Sequence, residues 1–94
     1  MFIELTIIYP FKNTHKKISD LLKNQREDLL SSKKCIKYSI YNDTYLNKII
    51  YIIKWESKDT MKNSISTKTH KKRLEEMLVL QKFPSEVYHL EEME

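Results

Sequence analysis

Lys48-Ile49-Ile50-Tyr51-Ile52-Ile53-Lys54-Trp55 is the most strand-like run of the chain, and both of its alternation sets are apolar. Ile49, Tyr51, Ile53 and Trp55 form one set, while Ile50 and Ile52 share the other with Lys48 and Lys54. β-Branched and aromatic residues at period two suit a pleated surface, and a strand apolar on both faces has to be covered from two sides. That cover has to come from the rest of the chain.

Upstream, Cys35 to Tyr41 alternates Ile36, Tyr38 and Ile40 against Cys35, Lys37, Ser39 and Tyr41. Tyr41-Asn42-Asp43-Thr44 supplies turn chemistry between the two runs, which predicts a hairpin. At the amino terminus, Phe2 and Ile8 fall on one alternation set and Ile3, Leu5, Ile7 and Tyr9 on the other, a second strand needing cover on both sides, ended by Pro10. Asn13 or Thr14 can cap a helix whose stripe runs through Ile18, Leu21, Leu22, Gln25 and Leu29 and closes at Ser31-Ser32-Lys33-Lys34. Beyond Trp55, Ser57 or Asp59 starts a short helix through Met61, and Ser66 or Thr67 caps a longer one to about Gln81, with His70, Leu74, Met77, Leu78 and Gln81 on one stripe. Phe83-Pro84 breaks that helix, and Glu86 to Leu90 is a short last strand.

Strand, helix, strand, strand, helix, strand predicts an α+β, ferredoxin-like βαββαβ domain with a four-stranded antiparallel sheet, a single domain over residues 1–94. The helices cross to one face of such a sheet. The other face is apolar too, and each large side chain left in water there costs roughly 1.5–3 kcal/mol of burial. Two such sheets packed face to face, a dimeric α/β barrel, provide the cover. A monomer of this length buries only about 60–65% of its unfolded surface, which points the same way.

Composition narrows the function classes. The chain has no glycine, which excludes glycine-rich phosphate loops of either nucleotide-binding kind. Its formal charge of +4, from 17 basic and 13 acidic residues, is spread over both halves and lacks the clustering of a nucleic-acid footprint. RNA-recognition domains share the element order, but residues 48–55 lack their glycine–phenylalanine–aromatic signature, so no nucleic-acid partner is expected. No apolar stretch approaches the ~20 residues of a membrane span, no signal-peptide pattern opens the chain, and the single Cys35 forms no intramolecular disulfide, so a cytoplasmic protein without a membrane partner is expected. His15 and His89 have no ligand-spaced partners, so no metal site is expected.

Lys34 to Asp43, then Ile49 to Trp55 and Glu56-Ser57-Lys58-Asp59-Thr60-Met61, continuing through Thr67 and His70, resembles the antibiotic biosynthesis monooxygenase family. In that family a Gly-Cys-like start leads a strand ending in an aromatic and an acidic turn, the next strand ends at a Trp, and an acidic and an apolar residue follow. Cys35, Tyr41, Asp43, Trp55, Asp59 and Met61 stand in those places. The resemblance spans Phe2 to Leu90 and implies the dimeric α/β barrel. It also implies oxygenation of small phenolic or quinol-like aromatic compounds with no metal, flavin or heme cofactor, the protein supplying deprotonation, positioning and exclusion of water. Lys34 departs from the usual glycine, and Ile53 and Ser64 stand where many members have a Glu and a His, so a familiar polar pair is missing. The heme-degrading branch of the fold relies on an Asn in strand one, a Trp at the position of Ser64 and a His near Leu74. This chain has none of them.

Tyr51, Trp55 and His70 are the candidate site residues, expected to point between sheet and helices. Tyr51 and Trp55 share a strand face by even spacing. A histidine exchanges protons near neutrality, so His70 can serve as base or hydrogen-bond donor, or simply fill the first turn of its helix. A non-catalytic dimeric module of the same fold is the competing expectation. Light scattering at micromolar concentration should report a homodimer, and a stable monomer would refute the two-sided reading of the strands.

Overall fold

The computed structural model describes residues 1–93. Its elements are β1 (Phe2–Pro10), α1 (His15–Ser31), β2 (Cys35–Asp43), β3 (Lys48–Trp55), α2 (Lys58–Ile65), α3 (Lys68–Leu78) and β4 (Gln81–Glu91). The four strands form one antiparallel sheet in the order β2-β3-β1-β4, so the strand with the strongest pattern and β1 lie at its centre. They pair without a break from Phe2 opposite Trp55 to Ile8 opposite Ile49. In an antiparallel pair directly opposite residues share a face. Phe2, Glu4, Thr6 and Ile8 therefore lie with Ile49, Tyr51, Ile53 and Trp55, and all eight are buried.

The helical layer covers that face. The predicted stripe of α1 is the one it turns inward, with Ile18, Leu22, Gln25 and Leu29 buried and Leu21 half-buried beside them. Thr14 is the N-cap residue, but its hydroxyl donates to Phe11 O at 2.7 Å and Leu80 O at 2.9 Å, tying the start of α1 to the turn before β4. Ser57 and Thr67 cap α2 and α3 by accepting from the Thr60 and His70 amides, each at 3.2 Å. No helix of the described residues is long and apolar enough to cross a membrane.

Three details differ from the sequence pattern. A bulge at Ile36 sets Cys35 opposite Trp55 and Lys37 opposite Lys54, so Cys35 and Tyr38 are both buried on the helix side while Ile36 turns outward. The helix after Thr67 stops at Leu78, three residues early, because Gln81 pairs with Pro10 and begins a longer β4. Of its expected stripe Met77 is buried on the helix and Gln81 at the start of β4; Leu74 and Leu78 are exposed. Pro84 lies inside β4 and not before it. Phe83 faces Tyr9 and Glu86 faces Ile7, so Pro84 and Ser85 together stand opposite Ile8 in a bulge on an edge strand, where a residue without an amide donor is tolerated.

A glycine-free chain also has to make its left-handed turns with other residues, and it does so at Asn13, Lys33 and Asn47. Lys33 ends α1: its amide reaches Leu30 O at 3.2 Å and the Lys34 amide reaches Leu29 O at 2.9 Å, the paired bonds of a Schellman terminus. The turn that the family resemblance associates with glycine at position 34 is thus made one residue earlier. Replacing Lys33 by Gly should raise stability by about 1 kcal/mol, since a side chain in this conformation costs roughly 1–2 kcal/mol that glycine's extra unfolded-state freedom only partly offsets. Ile53→Ala, which empties a site of 0% exposure at the sheet centre, should cost about 2–5 kcal/mol. Urea melts of both variants test these values.

Candidate active site between sheet and helices

The helix-side face of β3 ends at Trp55, which is 1% exposed and has no hydrogen-bond partner for its indole Nε1 among the described residues. Ser64, buried on α2, likewise has an unpartnered hydroxyl. Both line a cavity of about 280 Å³ together with Glu4 from β1, His70 and Arg73 from α3, and Lys34 after α1. Arg73 lies one turn beyond His70 and forms an ion pair with Asp28 of α1, bridging the two helices at the rim. The Thr67 cap fixes the first turn of α3 and so holds His70 against the cavity. His70 does not cap the helix itself.

Of the three residues expected from the sequence, Trp55 and His70 line this cavity. Tyr51 does not. It lines a second, smaller cavity of about 70 Å³ with Thr6, Leu74 and Val87, and His70 and Arg73 border both. The Tyr51 ring stacks on Tyr38, centroids 5.6 Å apart and ring planes nearly parallel, and the Tyr38 hydroxyl donates to Gln25 Oε1 at 2.5 Å. Burial pushes the Tyr51 phenol up to about 12 and raises Tyr38 as well, so both are neutral at physiological pH.

Glu4 is the group that the sequence pattern did not single out. The residue is 6% exposed, and burial raises its carboxyl to about 7. It stands directly opposite Ile53, so a carboxyl occupies the same face as the position where the family resemblance calls for a Glu, supplied from the neighbouring strand. The signal was present: Glu4 sits between Phe2 and Thr6 on the alternation set that ends in Ile8, the set turned under the helices. His89 of β4 is its partner across the other edge of β1, with Nε2 3.8 Å from Glu4 Oε1, too long for a hydrogen bond. His70 is lowered from its usual value by burial and then by Arg73, so it is neutral at pH 7. Among the described residues no three His, Cys, Asp or Glu side chains come together as a metal site.

No family model matches the chain, and no curated protein is similar to it in sequence. Solved structures are similar to it in fold. Rv0793 from Mycobacterium tuberculosis superposes with a TM-score of 0.90 at 12% identity, over 99% of this chain and 95% of that one. An antibiotic biosynthesis monooxygenase does so with a TM-score of 0.87 at 12% identity, over the whole of both chains. SnoaB from Streptomyces nogalater, a cofactor-independent oxygenase, matches with a TM-score of 0.85 at 7% identity over 99% of this chain and 93% of its own. The chain thus has the ferredoxin-like α+β fold of the antibiotic biosynthesis monooxygenases, in agreement with the resemblance read from residues 34–70.

The Glu4 carboxyl ties stability to pH. Its folded value of about 7 lies above the ordinary 4.5, so the folded chain holds the proton more tightly than the unfolded one. Stability from this group is complete below the ordinary value, falls as pH rises from there to about 7, and is level above it. The loss is of the order of 3 kcal/mol at most. Glu4→Gln should match the wild type at pH 4 and exceed it at pH 8 in urea melts; an equal stability difference at both pH values would show that the carboxyl is not held neutral by its surroundings.

Proposed function

We propose that this chain is a cofactor-independent monooxygenase of a small phenolic or quinol-like aromatic compound, working as a homodimer joined through the open sheet face. The observation that carries the reading is the cavity itself. A buried carboxyl, an indole N–H and a serine hydroxyl without partners, and a neutral histidine converge on one space between sheet and helices. Buried polar groups without partners are rare in folded proteins and are a reason to look for a ligand. At about 280 Å³ the space lies near the lower end of the range of ligand sites, which suits a compact aromatic compound. The fold shared with a cofactor-independent oxygenase supports the same chemistry.

In this reading the substrate gives up a proton in the cavity, and the resulting carbanion reacts with dioxygen. For a methylene between two rings, one oxygen atom becomes the ketone and the other leaves as water, with all four electrons coming from the substrate. His70 and the Trp55 N–H hydrogen-bond the substrate oxygen on which negative charge develops, and Arg73 and Lys34 favour that charge from the rim. Tyr51 shapes the inner wall next to His70. The face away from the helices carries Ile3, Leu5, Ile7, Ile50 and Ile52 with the exposed Tyr88 and Leu90, a surface suited to a second copy of the sheet.

Metal-free, flavin-free protein should consume oxygen with anthrone or a simple quinol at a rate above buffer. His70→Ala should lower the rate by roughly 10²–10³, the usual cost of removing one donor to a developing oxyanion. An oxygen electrode makes both measurements. Absence of consumption by the wild type across the panel counts against the oxygenase reading.

A further inference from the structure

Glu4 has no structural duty that accounts for its position. It is a carboxyl on the central strand pair, beneath the helices; no hydrogen bond among the described residues engages it, and the half-exposed imidazole of His89, its one ion-pair neighbour among those residues, stands 3.8 Å away. A buried acid kept only for folding is normally paired, because an unpaired one costs several kcal/mol if it ionises and is easily replaced by an apolar residue. This one faces a cavity where the Trp55 Nε1 and Ser64 Oγ, both more than nine-tenths buried, are also without partners. An acceptor for a proton and donors for an oxygen thus border the same space.

We propose that Glu4 is the proton acceptor of this cavity, taking the acidic C–H proton of a bound aromatic ketone while the Ser64 hydroxyl joins the Trp55 N–H and His70 in holding the ketone oxygen. The inference rests on the oxygenase reading for its substrate and adds the residue that does the deprotonation. In the step the C–H bond breaks, its electron pair moves through the ring system onto the oxygen, and the O–H bond forms on the Glu4 carboxylate. Dioxygen adds to the carbon, and the carboxyl protonates the peroxide so formed. The carboxylate then takes the second C–H proton as that electron pair forms the C=O bond and the O–O bond breaks. The hydroxide released leaves as water with that proton. A base works best when its proton affinity matches the working pH, and here the carboxyl meets that condition better than His70, whose affinity burial and Arg73 have lowered. The titratable and charged groups around Glu4 are Tyr51 on β3, Tyr38 on β2 beyond it, His89 on β4, His70 and Arg73 on α3, Asp28 on α1 and Lys34 after it. Both tyrosines are neutral throughout the working range, so neither competes with the carboxyl for the proton.

Deuterium exchange into the methylene of anthrone, followed without oxygen in D2O, reads this proton transfer without requiring the oxygenation. Wild-type protein should accelerate exchange above buffer, with a rate that rises through about pH 7 and then levels. Glu4→Gln should lower the enzymic rate by about 10²–10⁴ and remove that pH dependence, Glu4→Asp should keep a reduced rate, and His70→Ala should lower the rate without moving its midpoint. Circular dichroism establishes that each variant is folded. Exchange without oxygen consumption would uphold Glu4 as the base and reject the oxygenase reading alone. Absence of exchange in the wild type, undiminished exchange in folded Glu4→Gln, or a midpoint lost with His70 and kept in Glu4→Gln would each overturn the proposal.

Discussion

The pairing of β1 with β3 determines what can happen anywhere else in this chain. Seven consecutive residue pairs, from Phe2 with Trp55 to Ile8 with Ile49, fix which side chains face the helices. A slip of one residue would move Ile3, Leu5 and Ile7 under the helices and expel Phe2, Glu4, Thr6 and Ile8. Because Ile3, Leu5 and Ile7 are all apolar whereas Glu4 and Thr6 are polar, the hydrophobicity of β1 alone does not select the observed register. The polar members help to choose. Lys48 and Lys54 remain soluble at the edges of the open face, and Trp55 is too large to leave exposed without cost. The same register that buries the core also carries Glu4 to the cavity opposite Ile53, so folding and site construction are one event.

Much of this architecture was legible in the sequence wherever one periodicity dominated. β3, β1 and the stripe of α1 are long and regular, and the alternation of the strands and four of the five stripe positions of α1 return as buried positions. The parts that escaped are those where one residue too many enters a ladder. Ile36 and the Pro84-Ser85 pair are bulges, and a bulge reverses the face of everything beyond it without any signature in the alternation. The end of α3 escaped for another reason. Leu74 and Leu78 extend a helical stripe that the fold does not bury, since strand pairing between Pro10 and Gln81 takes over the chain before the stripe is complete.

The site was half legible. Trp55 and His70 were expected from residue type and spacing, and they do border one cavity. Tyr51 shares the strand face of Trp55, yet four residues along a strand is far enough to place it on another cavity, with Tyr38 and Gln25 closing around it. Glu4 was overlooked because a single acidic residue in a two-sided apolar strand reads as a solvated position, and its burial depends on pairing with a strand some fifty residues away. Proton affinities cannot be read from residue type at all. Glu4, Tyr51 and His70 all shift because of what the tertiary structure places, or fails to place, around them.

The absence of glycine has a consequence beyond the three left-handed turns at Asn13, Lys33 and Asn47. Glycine is the residue whose disordered state explores the most backbone conformations, so a chain without it begins folding from a narrower ensemble. Each turn carries a local steric cost in the native state, and each is offset in part by freedom that the unfolded chain never had. For a small domain with much of its apolar sheet turned outward, part of the stability is therefore held in the state that no set of coordinates depicts.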